Sequence, residues 1–379
     1  MNFMAETNYY ENVRQKLELG PLIAPKHKKV IRLLKALWNE EEIKILSEFE
    51  SADKWNSLKH LEEKTGLPRS EIKKTLEKLV KIGTISKKGT KYCLDPLIPG
   101  VFEKYFIIRK DTEENTKKVA KLYRELIKEV YPQTFYESDF RLFKPLLPIE
   151  AEEKLIEIDK SFDVQSQALP YDLVKQLIEK NDIFAVIPCQ CRLIGELSGE
   201  PCEVASSDMG CFLAGLAAQL AIEQKFPGMR ELKKNEAIEY LKETEKAGLV
   251  HNAVWDKGME SSMFVCNCCS CHCGALFPGK SFQFKNVQPS NFAPQINMGL
   301  CVKCETCMRK CPNDAIYHKW PNQADASDEA MVVREELCIG CGVCAANCPN
   351  DAIKMVKVRN DEPPERNSIG NKTFTELLM

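Results

Sequence analysis

Two stretches of this chain repeat one pattern, "CVKCETCMRKCPNDAI" at 301–316 and "CIGCGVCAANCPNDAI" at 338–353. Each reads C-x2-C-x2-C-x3-C-P, and "CPNDAI" recurs letter for letter. No other feature restricts the possible folds so tightly. Three cysteines at two-residue spacings turn a tight loop around three corners of an iron–sulfur cube. The fourth, followed by proline, reaches to the other cube. The spacing therefore predicts that Cys301, Cys304, Cys307 and Cys348 hold one [4Fe–4S] cluster, and that Cys338, Cys341, Cys344 and Cys311 hold a second. Zinc also accepts C-x2-C pairs, but zinc ribbons do not use this four-cysteine run twice. Gly340 and Gly342 are expected to let backbone N–H groups approach the cluster sulfurs, which tunes potential. The first loop has Val302, Lys303, Glu305 and Thr306 instead, so a different potential with unchanged ligation is expected there.

Residues 297–358 resemble the bacterial two-cluster ferredoxins. The "DAI" segments after each proline look like the starts of that fold's helices and strands.

The chain has 379 residues, room for two to four domains. Its formal net charge of −2 makes no global case for nucleic acid. The start of the chain has no basic run followed by an apolar core. The longest apolar stretch, "MGCFLAGLAAQLAI" at 209–222, is too short to span a bilayer. The expectation is a cytoplasmic protein, where 18 cysteines point to metal rather than to disulfides. Cys93 stands alone; every other cysteine lies between Cys189 and Cys348.

Setting aside the ferredoxin-like eight and Cys93 leaves nine: Cys189, Cys191, Cys202, Cys211, Cys266, Cys268, Cys269, Cys271 and Cys273. A β-type run, Ile183 to Ile187, ends at Pro188 and delivers the chain into Cys189 and Cys191. Cys211 opens the apolar segment 212–222, read as a buried helix. Residues 235–251 read as a helix through Ile238, Leu241 and Leu249, stopping near Gly248. The stretch "CNCCSCHC" (266–273) puts five cysteines into eight positions, too many to reach one cube from a single short loop. Some should therefore share a centre with Cys189, Cys191, Cys202 and Cys211. Nine sulfurs suit two further clusters with one spare, or one cluster and a separate site. Zinc is the alternative, with His272 or His251 as a further ligand. Arg192 reads either as a donor of hydrogen bonds or charge to a cluster or as a surface arginine.

The combination of "PCQCR", "PCE", "GLVH" and "CNCCSCHC" over about residues 165–355 resembles a family of iron–sulfur proteins from anaerobes that join a cysteine-rich middle to a ferredoxin tail. The resemblance implies cluster binding and electron transfer, and no specific substrate.

Residues 40–95 follow a different grammar. "EEEIKILSEF" reads as a helix, and residues 57–83 as helix, turn, helix, with Gly66 closing the first and Ser70 capping the second. Ile72, Leu76, Leu79 and Val80 fall on one face. Residues 84–94 make a hairpin with Gly89 in its turn. This segment resembles the winged-helix fold. From Gly66 to Lys91, eight basic residues (Arg69, Lys73, Lys74, Lys78, Lys81, Lys87, Lys88 and Lys91) stand against Glu71 and Glu77, while 40–65 is net −4. That polarity would suit DNA, although no Asn or Gln sits on the helix to read bases, and winged helices also dock proteins. Cys93, ending the hairpin, reads as a buried small residue. Residues 101–180 read as mainly helical, with Val119, Leu122, Leu126 and Val130 on one face, a break at "FKPLLP" (143–148), and packing through Leu173, Val174, Leu177 and Ile178.

The expected architecture is α+β and multidomain: a helical segment at 1–39, a winged helix at 40–100, a helical connector at 101–180, a cysteine-rich iron–sulfur domain at 181–285, a two-cluster ferredoxin domain at 290–358 and a mobile tail from 359. The expected cofactors are two [4Fe–4S] clusters and one or two more within 189–273. The expected function is low-potential electron transfer to redox partner proteins, in an electron-transfer protein or oxidoreductase subunit rather than a stand-alone enzyme. The alternatives are a redox-responsive regulator that meets DNA through the winged helix, and an oxidoreductase subunit that reduces a substrate at the middle centre.

Overall fold

The computed structural model describes residues 2–134, 141–158, 172–255, 262–282, 287–321 and 328–364. The chain forms two compact units, one of Met1–Glu137, Arg192–Pro201 and Glu365–Met379, the other of Ser138–Cys191 and Cys202–Pro364. Helix and sheet are mixed in the chain. No helix among the described residues is long and apolar enough to cross a membrane.

The first unit opens with helices α1 (Asn2–Lys16), α2 (Lys28–Leu37) and α3 (Glu40–Leu46). Asn39 caps α3 through a box with Glu42, and three glutamates in its first turn complement the helix dipole. A short strand β1 (Asn56–Ser57) then leads into α4 (Leu58–Thr65) and α5 (Arg69–Ile82), followed by β2 (Ser86–Lys88) and β3 (Lys91–Cys93). These strands form an antiparallel sheet in the order β1-β3-β2. Gly66 ends α4 at φ 69°. Ser70 does not cap α5. Pro68 holds the N-cap position with φ −59°, already preset for the turn, so the helix begins before the serine and takes Ser70 into its first turn. Ile72, Leu76 and Leu79 are buried on α5, while Val80 is only half-buried. Cys93 is fully buried, its thiol 3.2 Å from the Ala52 carbonyl oxygen.

Two of the basic side chains on this face are already ion-paired. Lys78 meets Glu42 at 2.6 Å and Lys87 meets Glu77 at 2.7 Å. Helices α6 (Phe102–Ile108), α7 (Glu113–Glu129) and α8 (Tyr131–Thr134) complete this part, with Val119, Leu122 and Leu126 of α7 and Val130 at its C-cap all buried. Glu200, from the returning segment, accepts from Arg124 and Lys128.

The second unit runs β4 (Phe143–Pro145), α9 (Ile149–Ile158), α10 (Val174–Glu179), β5 (Phe184–Ile187), α11 (Gln190–Leu197, which continues into the first unit), β6 (Cys211–Gly215) and α12 (Leu216–Gln224). It continues with β7 (Arg230–Leu232), α13 (Lys234–Ala247), β8 (Val250–Val254), β9 (Ser262–Cys268) and α14 (Leu276–Phe282). Strands β4 to β9 build one antiparallel sheet in the order β4-β8-β9-β6-β5-β7. Its core packs Phe184 and Phe212 with Val174, Leu177 and Ile178 of α10 and Ala237, Tyr240 and Leu241 of α13.

Two sequence expectations change here. The apolar run 212–222 is not one helix: β6 uses its first part, and Gly215 at φ 58° turns the chain into α12. A fully buried strand and a buried helix both show an unbroken apolar run, so periodicity cannot separate them. The segment 143–148 is not merely a break either, because β4 pairs with β8 at the sheet edge, where Pro145 costs no ladder bond.

Buried polar groups brace this unit. Lys144, on β4, places Nζ 2.9 Å from Asp172 Oδ1 and 4.1 Å above the Trp255 ring, and Asp172 also accepts two 3.1 Å bonds from the Asn291 amide. Arg192, with which the chain passes into the first unit, is fully buried as well, which rules out its reading as a surface residue. Residues 359–364, expected to begin a mobile tail, are held by Asn291: its carbonyl accepts from Arg359 N, and its Oδ1 accepts from Asp361 N at 2.8 Å. The rest of that tail lies outside the described residues.

Glu152 on α9 is 6% exposed, and its Oε2 has no hydrogen-bond partner. Burial first, then the charges of Glu179, Glu153 and Glu245, push its carboxyl up to about 7, against Lys175. A carboxyl raised on folding stabilises the fold fully below its unfolded value near 4.5 and loses that contribution as pH climbs through 7. Glu152→Gln is therefore expected to match the wild type near pH 4.5 and to exceed it by up to ~3 kcal/mol at pH 8. Anaerobic denaturant titrations at both pH values check this.

Candidate metal centres in four cysteine groups

The remaining strands form two small antiparallel ribbons. In one, β10 (Phe292–Ile296) pairs with β13 (Ile353–Lys357); in the other, β11 (Ile316–Lys319) pairs with β12 (Ala330–Val333). One-turn helices α15 (Thr306–Arg309) and α16 (Val343–Ala346) carry the third cysteine of each loop. Both "DAI" segments lead into strands, not helices, with Ile316 opening β11 and Ile353 opening β13.

The motif cysteines line two cavities among the described residues. Cys301, Cys304, Cys307 and Cys348 line one, with Val302, Met331 and Ile353 among its walls. Cys311, Cys338, Cys341 and Cys344 line the other, walled by Pro294, Ile316 and Ile339. In each, three thiols come from one loop and the fourth from the opposite repeat. The repeats match in detail. Ala315 N donates to Cys311 Sγ at 3.2 Å, and Ala352 N donates to Cys348 Sγ at 3.3 Å. Asp314 and Asp351 both take positive φ, 53° and 49°.

Gly340 and Gly342 sit at φ 66° and 71°, yet Lys303 and Glu305 hold the same region at 56° and 61°. The glycines answer to space as well as to conformation. A Cβ on Gly340 would lie 2.1 Å from the Phe292 carbonyl oxygen, and one on Gly342 would lie 2.6 Å from Pro148 Cδ. In the first loop the matching side chains find partners outside: Lys303 reaches Glu329 at 2.8 Å, and Glu305 reaches His318 at 2.8 Å. The backbone track is thus shared by both loops, and the absence of glycine does not alter it.

Burial pushes the Cys307 thiol up to about 11 and raises Cys338, Cys341 and Cys344 as well. Exposed Cys304 is instead lowered by hydrogen bonding to Thr306. Four thiolates facing one small apolar-walled space would repel one another unless a cationic group joined them. Such a donor set fits an iron–sulfur cluster in each cavity.

The nine middle cysteines divide into two groups. Cys189 and Cys191 follow the end of β5, Cys211 begins β6 opposite Ile187, and Cys266 and Cys268 alternate along β9. Because β5, β6 and β9 are neighbours in the sheet, their cysteine-bearing ends meet at one edge. There the thiols link in a closed ring. Cys191 bonds to Cys189 and Cys273, Cys211 to Cys189 and Cys266, and Cys268 to Cys266 and Cys273, the last at 3.0 Å. Bonds from Cys266 and Cys273 draw Cys268 down to about 7. Hydrogen bonding to Cys189 raises Cys191 and Cys211, and hydrogen bonding to Cys211 raises Cys266. Gly210 makes the approach possible, since a Cβ there would lie 1.9 Å from the Ile187 carbonyl oxygen.

The second group is Cys202, Cys269, Cys271 and His272, whose ligand atoms all lie within 4.8 Å of one another. His251 belongs to neither. Its ring nitrogens meet Asn267 Oδ1 at 2.7 Å and Glu245 Oε1 at 3.1 Å. Glu245 in turn accepts from Ile149 N and Glu150 N at the start of α9, and Asn267 donates to the Gly210 carbonyl. Glu245, Asn267 and Gly210 escape a sequence reading because they are far apart in the chain; only "GC" at 210–211 hints at the close approach.

Packing ties the sites together. One hydrophobic cluster contains Cys268 and Cys273 of the ring together with Cys341 of the second cavity. Another contains Cys307 of the first cavity and Cys344 of the second.

Residues 293–355 match the family model of the 4Fe-4S dicluster domain. Comparison with curated proteins gives no match, nor does comparison with solved structures. The chain is an iron–sulfur protein with a ferredoxin-like domain near its C-terminal end.

Proposed function

We propose that this protein relays electrons one at a time through three iron–sulfur clusters in its second unit. One is held by Cys301, Cys304, Cys307 and Cys348, one by Cys311, Cys338, Cys341 and Cys344, and a third within the six-cysteine ring. The carrying observation is the continuity of packing from the buried ring, through the cavity that holds Cys341 and Cys344, to the cavity that opens on exposed Cys304. Electrons would enter or leave beside Cys304, where Val302 and Leu300 are exposed for a redox partner protein. The clusters supply the redox change. The chain sets spacing, excludes water from the inner sites and directs N–H groups at the sulfurs of Cys311 and Cys348. The 40–100 segment is proposed as a winged helix that serves docking rather than chemistry.

Protein purified without oxygen is expected to hold about twelve irons and twelve acid-labile sulfides in clusters, and to take up about three electrons from a low-potential dye. About eight irons would remove the third cluster; a colourless, iron-free product would remove the relay.

A further inference from the structure

Beside the relay, and independent of it, we propose a mononuclear zinc site made by Cys202, Cys269, Cys271 and His272. The argument is one of scale and composition. A tetrahedral ion with Zn–S bonds of about 2.3 Å sets its ligand sulfurs roughly 3.8 Å apart. The four ligand atoms here lie within 4.8 Å of one another, and Cys202 Sγ is 3.2 Å from Cys271 Sγ. The ring's Cys268 and Cys273 approach as closely, so what sets this group apart is its composition, four ligands that include an imidazole. The set Cys₃His is a closed, four-ligand zinc shell with no open position, which makes the site structural rather than catalytic. Cys269 and His272 are buried, at 2% and 4% exposed, so the ion would be largely shielded from water.

Its position gives it a task. Cys269, Cys271 and His272 lie in the turn just after β9, whose Cys266 and Cys268 belong to the sulfur ring. Cys202 is the residue at which the chain re-enters the second unit. The ion would pin that entry point to the turn beyond β9. It also accounts for the three thiols that the ring does not use.

The test uses the full chain purified anaerobically without chelator, with zinc and iron counted on one sample and zinc X-ray absorption recorded. The expected result is about one zinc per chain with three sulfurs near 2.3 Å and one nitrogen near 2.0–2.1 Å. In a Cys202→Ser/His272→Ala double variant, zinc should fall at least fivefold while iron stays constant. Absence of zinc, a zinc shell of four sulfurs, zinc retained in the variant, or loss of iron in its place would each overturn the site. Should the variant fail to fold, the absorption shell of the native protein decides alone. Iron content tests the relay and zinc content tests this site, so either can fail without the other.

Discussion

Replacing Cys311 with alanine is expected to empty the cavity of the opposite loop. Cys311 follows Cys301, Cys304 and Cys307 along the chain, but its thiol lines the space with Cys338, Cys341 and Cys344. Cys348 crosses the other way, into the space of Cys301, Cys304 and Cys307. Each variant should lose about four irons, and the electron paramagnetic resonance signal that remains should differ between the two. Because the first-loop cavity opens on exposed Cys304 while Cys341 and Cys344 are buried, the clusters should differ in how fast a small aqueous oxidant reaches them. Cys311→Ala should keep the faster-reacting centre and Cys348→Ala the slower. The reverse assignment would mean that each loop keeps its own fourth cysteine, and the crossed scheme would fall.

The second large effect concerns stability. Lys144→Ala would leave the fully buried Asp172 carboxylate without this cation while the Asn291 amide still donates to it. Removing one member of a buried pair typically costs about 3–5 kcal/mol, because the other charge stays desolvated. The same change removes the ammonium from above the Trp255 ring. Substituting both partners, as Lys144→Met/Asp172→Leu, should recover at least half the loss, since an apolar pair needs no counter-charge. Anaerobic denaturant midpoints on the three proteins check this. A double variant no better than the single would show that the pair's geometry, not its charge balance, holds β4 in place.

What the sequence revealed follows the range of the interaction. The loops at 301–311 and 338–348 were readable because a two-residue cysteine spacing is a local instruction, written within eleven residues each time. The helices at 58–65 and 69–82 were readable for the same reason, through periodicity and Gly66. Ser70 misled because a serine in the first turn looks like a cap unless the preceding proline is given priority. The division of the nine middle cysteines could not be read, because it depends on β5, β6 and β9 being neighbours. Strand order is a property of the whole sheet. Once known, the alternation of Cys266 and Cys268 along β9 and the turn at 269–272 sort the sulfurs directly. Likewise His251 looked available in the sequence, and only the fold brings Glu245 and Asn267 to its two nitrogens.

The patch that holds Cys268, Cys273 and Cys341 together bears on how the protein matures. Under the proposed loading, filling one compartment would firm part of its neighbour's wall, so the order of metal delivery would set how quickly the second compartment fills. A chain given too little iron would keep one centre complete and leave the other vacant.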